Sequence, residues 1–395
     1  MAHDGVTGDR KKIFLIATEP SGDHLGAALM RELRGRLGDE AKFIGIGGAE
    51  MEREGLTSLF PIGDLAIVGF AGVAKQLPML LRRIREAAAS VVQTKPDILV
   101  IIDSPDFTHR VARRVRKAAP SIPVVDYVSP TVWVWRPGRA RAMTHYVDHV
   151  LAVLPFEPDV HRNLGGPPCT YIGHPLVERL DTLRPNAQER ERRETPPPVL
   201  VLLPGSRRAE IRNHMPVFGE TLAALREQGL AIEAVLPTLP HLLDAVNEAV
   251  AQWSVRPRIV TGEVEKQAAF RNARAALAKS GTVTLELALA GVPMVTLYRG
   301  GALEAWIARR FVRVSSIILA NLVIGENVVP EFHQEQCTAQ NLAPLLTKML
   351  GDTPERRRQL DAFAKLDGIM DTGGRSPSQQ AADIVLREME RRKTK

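Results

Sequence analysis

ILVIIDSPDF, residues 98–107, is the stretch on which the fold turns. Ile98–Ile102 holds no polar residue, the pattern of a strand covered on both faces in a parallel sheet flanked by helices. Asp103 comes at once after it, and a carboxylate at the tip of a buried strand is costly unless it has partners or a task. Either it caps the next helix, or it is a general base at the carboxyl end of the sheet, where doubly wound folds bind their ligands.

Outward from this stretch, apolar runs alternate with helical periodicity. Strands are expected at Ile13–Thr18, Lys42–Ile46 and Val124–Val128, and helices at His24–Leu37, Met79–Gln93 and Val111–Ala118. Residues 184–198, RPNAQERERRETPPP, break the rhythm and read as a charged, proline-ended linker. The pattern then restarts, with strands at Val199–Leu203, Ile232–Leu236, Arg258–Val260, Ala275–Lys279 and Pro293–Tyr298 and helices at Pro216–Glu227 and Val283–Ala290. The expected fold class is therefore α/β, two doubly wound Rossmann-like domains at 1–183 and 199–365, with a helical, basic tail from about 366 to 395 packing back on the first.

The chain has 395 residues, 45% apolar and 25% charged, with a net charge of +7, which suits anionic partners without choosing among nucleic acid, acidic lipid and nucleotide. Its two cysteines lack metal-ligand spacing and fit a reducing cytosol. No apolar run approaches the ~18 residues of a membrane span, although a peripheral membrane role stays open. Aromatic residues make up 5%, few for base stacking, and no nucleic-acid motif occurs. Neither D-x-D nor H-E-x-x-H is present, so no metal site is expected, and His174 reads as structural.

The residues just past each strand carry the chemistry. In TEPSGDHLG (18–26), Glu19 stands at the strand tip and Ser21 is placed to cap the next helix. The cluster Gly45-Ile46-Gly47-Gly48 lacks the third glycine of a dinucleotide fingerprint. In PGSRRAEIRNH (204–214), Arg207 and Arg208 fall in a first helical turn, where the macrodipole disfavours cations; Arg207 could clamp a diphosphate, or both could be solvated. In SGTVTLELALAGVP (280–293), Ser280 or Thr282 caps a helix and Glu286, a turn in, could hold ribose hydroxyls; an ordinary capped helix is the alternative. VSPTVWVWRPGRARA (128–142) sets Trp133 and Trp135 beside Arg136, either as strand residues sharing a core face or as a surface for something both apolar and anionic. VGFAGVAKQLPMLLRRIR (68–85), with Phe70, Val73, Leu77 and Leu80, reads as a bilayer-interface segment or as a core-facing amphipathic helix.

EPSGD (19–23), IDSPDF (102–107), YVSPTVWVWRPGR (127–139), LPFE (154–157), IGHP (172–175), LLPGSRRAEI (202–211), KSGTVTLELALAGVPMV (279–295) and NLVIGENVVPEFHQEQC (321–337) occur in the order of the lipid-A-disaccharide synthase family, which the chain resembles over nearly its whole length. The resemblance implies two GT-B glycosyltransferase domains. It also implies metal-independent, cofactor-free, inverting transfer from UDP-2,3-diacylglucosamine to 2,3-diacylglucosamine 1-phosphate, at the anionic inner face of the inner membrane. By the same resemblance Asp103 is the base, with Glu19 and Ser21 near the acceptor. Ser206, Arg207, Ser280, Gly281, Thr282, Glu286, Asn321, Glu331 and Gln334 are on the donor side, and Trp133, Trp135 and Arg136 suit acylated, anionic substrates. Nucleic acid is not an implied partner, and a homodimer is left open. Thr18, Pro20 and Ala320 depart from the family pattern without removing a charged participant. Two other readings share parts of this pattern: a UDP-sugar 2-epimerase or a transferase with a soluble acceptor, and a non-enzymatic basic nucleotide- or nucleic-acid-binding protein.

Overall fold

The computed structural model describes residues 10–65, 70–301 and 316–391, with the backbone alone over 70–76. The chain divides into two compact units, Met1–Pro175 with Asp371–Lys395, and Leu176–Met370. The first boundary thus falls before residue 183, and the chain re-enters the first unit at Asp371.

Among the described residues, the first unit is built on a seven-stranded sheet of β1 (Lys11–Ala17), β2 (Ala41–Ile46), β3 (Thr57–Ser58), β4 (Ile98–Ile102), β5 (Val124–Tyr127), β6 (His149–Ala152) and β7 (Cys169–Tyr171), in the order 3-2-1-4-5-6-7. The pairings are parallel, with Ala17 beside Ile102 at the tips of β1 and β4. Alternate residues of a strand point to opposite faces, and both faces here are covered. Ile13, Leu15, Ile98 and Val100 pack with helices Pro20–Leu37 and Pro377–Glu390, while Phe14, Ile16, Leu99 and Ile101 pack with helices Phe70–Thr94 and Pro105–Ala118. The all-apolar run at 98–102 is the direct consequence, since neither face of β4 meets water.

The second unit carries a six-stranded parallel sheet of β8 (Val199–Leu203), β9 (Glu233–Thr238), β10 (Arg258–Thr261), β11 (Ala273–Lys279), β12 (Met294–Tyr298) and β13 (Glu331–His333), ordered 10-9-8-11-12-13 among the described residues. Helices Arg208–Glu227, Leu243–Val250 and Ala339–Leu350 close one face around Leu200, Leu202, Leu236 and Leu277.

The stretch read as a linker is not one. It holds helix Ala187–Glu194, opened by a capping box between Asn186 and Glu189. Arg193, on its inner side, is buried and donates to the carbonyls of Phe270, Arg271, Ala290 and Gly291 at 2.8–3.0 Å. These carbonyls end the helices Glu263–Asn272 and Val283–Leu289, whose last C=O groups have no partner within the helix. The run of charges therefore encodes a staple as well as a solvated face.

Candidate active site

Both sheets reverse their strand order beside their first-made strand, between β1 and β4 and between β8 and β11. Crevices at such switch points, beyond the carboxyl ends of the strands, are where doubly wound sheets bind ligands. The four most informative sequence stretches end on these four strand tips.

In the first unit the switch point gathers Glu19, Asp103 and Ser104. Asp103 and Ser104 both adopt left-handed backbone, with φ of 53° and 45°. Such conformations cost non-glycine residues roughly 1–3 kcal/mol and persist where surrounding bonds over-determine them. Here the Asp103 N–H donates to Tyr127 O at 3.0 Å, and Asp103 O accepts from Thr108 Oγ1 at 2.7 Å. The Asp103 carboxylate accepts the Ser104 N–H at 2.7 Å, and Ser104 Oγ donates to Glu19 Oε1 at 3.1 Å. Ser104 is the residue before the helix, and Asp103 makes no capping bond into it, so the helix-cap reading of Asp103 falls. Burial, with Glu19 and Asp126 nearby, pushes the Asp103 carboxyl above the ordinary aspartate value, partly offset by the Ser104 N–H. A carboxylate made more basic in this way is suited to accept a proton.

Two expectations in this unit change. Helix Pro20–Leu37 begins one residue after Glu19, so Ser21 lies inside it and caps nothing. Trp133 and Trp135 lie in a turn closed on Thr131 rather than in a strand. Trp133 is half-buried, edge-on to Phe156 at 5.3 Å and 3.4 Å from Glu157 Oε1 through its N–H. Glu157 also accepts the Leu154 N–H, and burial pushes its carboxyl up to about 8. Trp135 is 37% exposed, with Arg136 stacked 4.1 Å from its ring centroid. On helix Phe70–Thr94, Leu77 is 42% exposed, but Leu80 packs against the core and does not face outward. The side chains of Phe70 and Val73 lie outside the described residues.

In the second unit a cavity of about 630 Å³ opens at the tips of β8, β9 and β11. Ser206, Arg207, Gly281, Thr282 and Glu286 line it as expected from sequence, together with Gly205. Gly205 has φ of 132°, and a β-carbon there would meet Glu210 Oε2 at 2.5 Å, so the turn requires glycine. Glu210 accepts the Ser206 N–H at 2.9 Å and pairs with Lys279 at 3.1 Å. Burial opposes ionisation of Glu210, but Lys279, the Ser206 N–H and Arg207 together hold its carboxyl below the usual range. Arg207 sits at the helix entrance rather than within the first turn, 82% exposed, meeting Glu210 only at 4.0 Å. Its guanidinium is thus available for a ligand. Glu286 is held by Lys266 at 2.6 Å.

Lys266, Lys279, Glu210 and Thr238 were not singled out from sequence, yet all four line the cavity. Thr238 is the most pointed of them, because its buried hydroxyl makes no hydrogen bond among the described residues. Other expected donor-side residues lie elsewhere. Ser280 is buried against β12, its N–H on Leu297 O, and neither it nor Thr282 makes a side-chain cap. Asn321 is 2% exposed and clamps its own loop, accepting from the N–H groups of Val328 and Val329 and donating to Val329 O and Ser316 Oγ. Glu331 accepts from Ser316 Oγ at 2.9 Å, and Gln334 opens a short turn; neither lines the cavity.

Residues 13–385 match the family described as lipid-A-disaccharide synthetase. The chain is 67% identical over 389 residues to a lipid-A-disaccharide synthase of Nitrobacter hamburgensis, covering 98% of each chain. Its fold is similar to that of MnaA from S. aureus, solved with UDP, at a TM-score of 0.63 and 11% identity over 96% of this chain and 97% of that one. It is also similar to the glycosyltransferase of kitacinnamycin, at a TM-score of 0.62 and 16% identity over 96% and 99%. The two α/β units are a GT-B glycosyltransferase architecture.

Proposed function

The chain belongs to the lipid-A-disaccharide synthetase family and is a glycosyltransferase of lipid A biosynthesis; from that premise we propose how its two switch points divide the reaction. Membership of the family sets aside the epimerase and the non-enzymatic binder.

The donor is UDP-2,3-diacylglucosamine and the acceptor 2,3-diacylglucosamine 1-phosphate. The Asp103 carboxylate takes the proton of the acceptor 6-hydroxyl while that oxygen attacks the donor's anomeric carbon. The bond from that carbon to UDP breaks as the new one forms, so a single displacement converts an α-linked donor into a β-linked product. Negative charge grows on the departing UDP, and Arg207, exposed at the rim of the 630 Å³ cavity, meets it. Glu286 holds the ribose, with Lys266 keeping its carboxylate oriented. The backbone at Gly281 and Thr282 and the unsatisfied hydroxyl of Thr238 complete the donor contacts. Glu19 reaches Asp103 through Ser104 and keeps the base at the strand tip.

The reaction site is the inner face of the inner membrane. No helix among the described residues is long and apolar enough to cross a membrane. Exposed Leu77, followed by exposed Arg82 and Arg85, suits a peripheral contact with an anionic surface.

The observation that carries this reading is Asp103: an acid held in left-handed backbone at a switch point, with its basicity raised by burial. The test is purified protein in detergent micelles with both lipids and EDTA, following UDP and disaccharide phosphate together. Both products should appear in equal amounts, with EDTA present, and neither with Asp103→Asn. UDP without disaccharide would sink the assignment of the acceptor, and loss of both products on adding EDTA would sink metal independence.

A further inference from the structure

A second concavity lies in the first unit, along helix Pro105–Ala118. It has a volume of about 730 Å³, and Arg110, Arg113, Arg114, Arg136 and Arg139 line it. Asp106 is the one carboxylate among its lining residues, exposed and 3.4 Å from Arg139. Five guanidiniums against one carboxylate leave a formal excess of four positive charges (5 − 1). Like charges gathered in one hollow repel one another, and an anion relieves them.

Two of these arginines are fixed in place, one of them from behind. Asp126 is fully buried in β5, and Nε2 of buried His109 lies 3.2 Å from its carboxylate. The other ring nitrogen of His109 is 3.1 Å from Tyr146 Oη, and that oxygen accepts from Arg113 Nη2 at 3.2 Å. Arg113 on the cavity wall is thus anchored through Tyr146 to a buried histidine that lies beside a buried acid. Arg136 is set differently, by left-handed backbone with φ of 55° and by its stack on Trp135. Solvated surface arginines need neither arrangement. Guanidinium forks fixed in advance are matched to phosphate oxygens.

We propose that this cavity takes the phosphomonoester of the lipid acceptor, so that the 1-phosphate lies among the arginines while the 6-hydroxyl meets Asp103. The assignment rests on the reading that Asp103 serves the acceptor. Asp103 and the cavity rim at Asp106 are three residues apart, a reach of at most ~10 Å. In the sugar, C1 and C5 are joined through the ring oxygen and C6 hangs from C5, so the phosphate on C1 and the 6-hydroxyl lie on the ring-oxygen side of the sugar, a few bonds apart. One molecule with its hydroxyl at Asp103 is thus long enough for its phosphate to enter at the cavity rim. An anionic phospholipid headgroup offers the same chemistry from the membrane, and the experiment separates the two sources.

The variant is Arg110→Gln with Arg114→Gln, both exposed and neither bonded to Tyr146, in the full chain; Arg113→Gln is a second, independent variant. KM is measured in detergent micelles for 2,3-diacylglucosamine 1-phosphate, for the same sugar without its phosphate, and for the donor. The acceptor KM should rise roughly 10- to 100-fold, the donor KM should hold, and the phosphate-free acceptor should react equally with wild type and variants. Lysine at the same positions should recover part of the loss, since it restores the charge but not the fork. Equal losses on both acceptors, or no loss, would overturn the assignment. So would an unchanged acceptor KM together with lost binding to phosphatidylglycerol vesicles, which would give the arginines to the membrane surface. A wild type that makes no disaccharide would overturn the transfer itself, a different result from a wild type that works and variants that match it.

Discussion

Arg207→Ala separates binding from folding. The side chain is 82% exposed and approaches Glu210 only at 4.0 Å, while Glu210 keeps Lys279 and the Ser206 N–H without it. Truncation leaves no buried group unpaired, so stability should move by less than ~0.5 kcal/mol, as for other surface sites. Bound UDP is another matter. A charge-assisted hydrogen bond contributes about 1.5–3 kcal/mol, and each ~1.4 kcal/mol is tenfold in Kd, so one lost contact weakens UDP binding roughly 10- to 150-fold and a lost fork by more. Arg207→Lys should fall between, because ammonium keeps the charge without the two parallel donors. Isothermal titration of UDP into wild type and both variants, with a denaturant melt of each, reads both quantities. A Kd within about twofold of wild type for Arg207→Ala would remove this residue from the diphosphate site; a large drop in stability would mean that its structural isolation was misjudged.

Other parts of the molecule are open to test as well. Because the Asp103 carboxyl is raised by burial, turnover should fall with decreasing pH along a limb whose midpoint lies above the ~3.9 of an ordinary aspartate; a kcat–pH profile with no limb above that value would refute it. Glu157, with a folded value of about 8, keeps a proton that the unfolded chain loses near ~4.3, so its contribution is complete at low pH and is lost as pH rises towards 8, at up to ~1.4 kcal/mol per unit. In denaturant melts between pH 6.5 and 8, wild type should lose stability relative to Glu157→Gln with that slope, a difference from which the lowered histidines, common to both proteins, cancel. Arg193→Met strips the carbonyls of Arg271, Ala290 and Gly291 of their side-chain donor, while Phe270 O keeps the Ala273 N–H, and should cost the second unit about 3 kcal/mol, read as an early unfolding transition that UDP binding partly reverses. Leu77→Ser should reduce flotation with anionic vesicles while the thermal melt stays put; a lowered melt with unchanged flotation would return Leu77 to the core.

Ile98–Ile102 and Val199–Leu203 could be read to the residue, because strands shielded on both faces leave an unbroken, β-branched-rich apolar run with a sharp polar or turn residue at its end. Asp103, Arg207 and Glu286 could be read because each breaks a local rule or stands just past such a run. Lys279, Lys266 and Thr238 could not, since their place in the cavity depends on β8, β9 and β11 lying side by side, and strand order is not a local property. Ser21 and Ser280 were misplaced for a related reason: the first helical residue is set by where the preceding strand ends, and both chains turn one or two residues away from the expected point. The two tryptophans look equivalent in sequence, but Phe156 and Glu157 claim one and leave the other to Arg136. Charge density at 184–198 suggested a tether because the pattern conceals the one arginine that points inward.

The first unit is finished by the far end of the chain. Helix Pro377–Glu390 buries Ala381, Ala382, Ile384 and Val385 against the strands that begin at Lys11, and Gln380 donates to Ile172 O. On a ribosome, β4 and β5, on which it packs, emerge 250 residues or more before it (377 − 127), while Leu176–Met370 is continuous and can close as soon as it is out. The half made first is therefore completed last. Throughout that interval an apolar sheet face is on offer to chaperones and to other nascent chains, and a nonsense mutation that spares all of Leu176–Met370 would still leave the first unit unfinished.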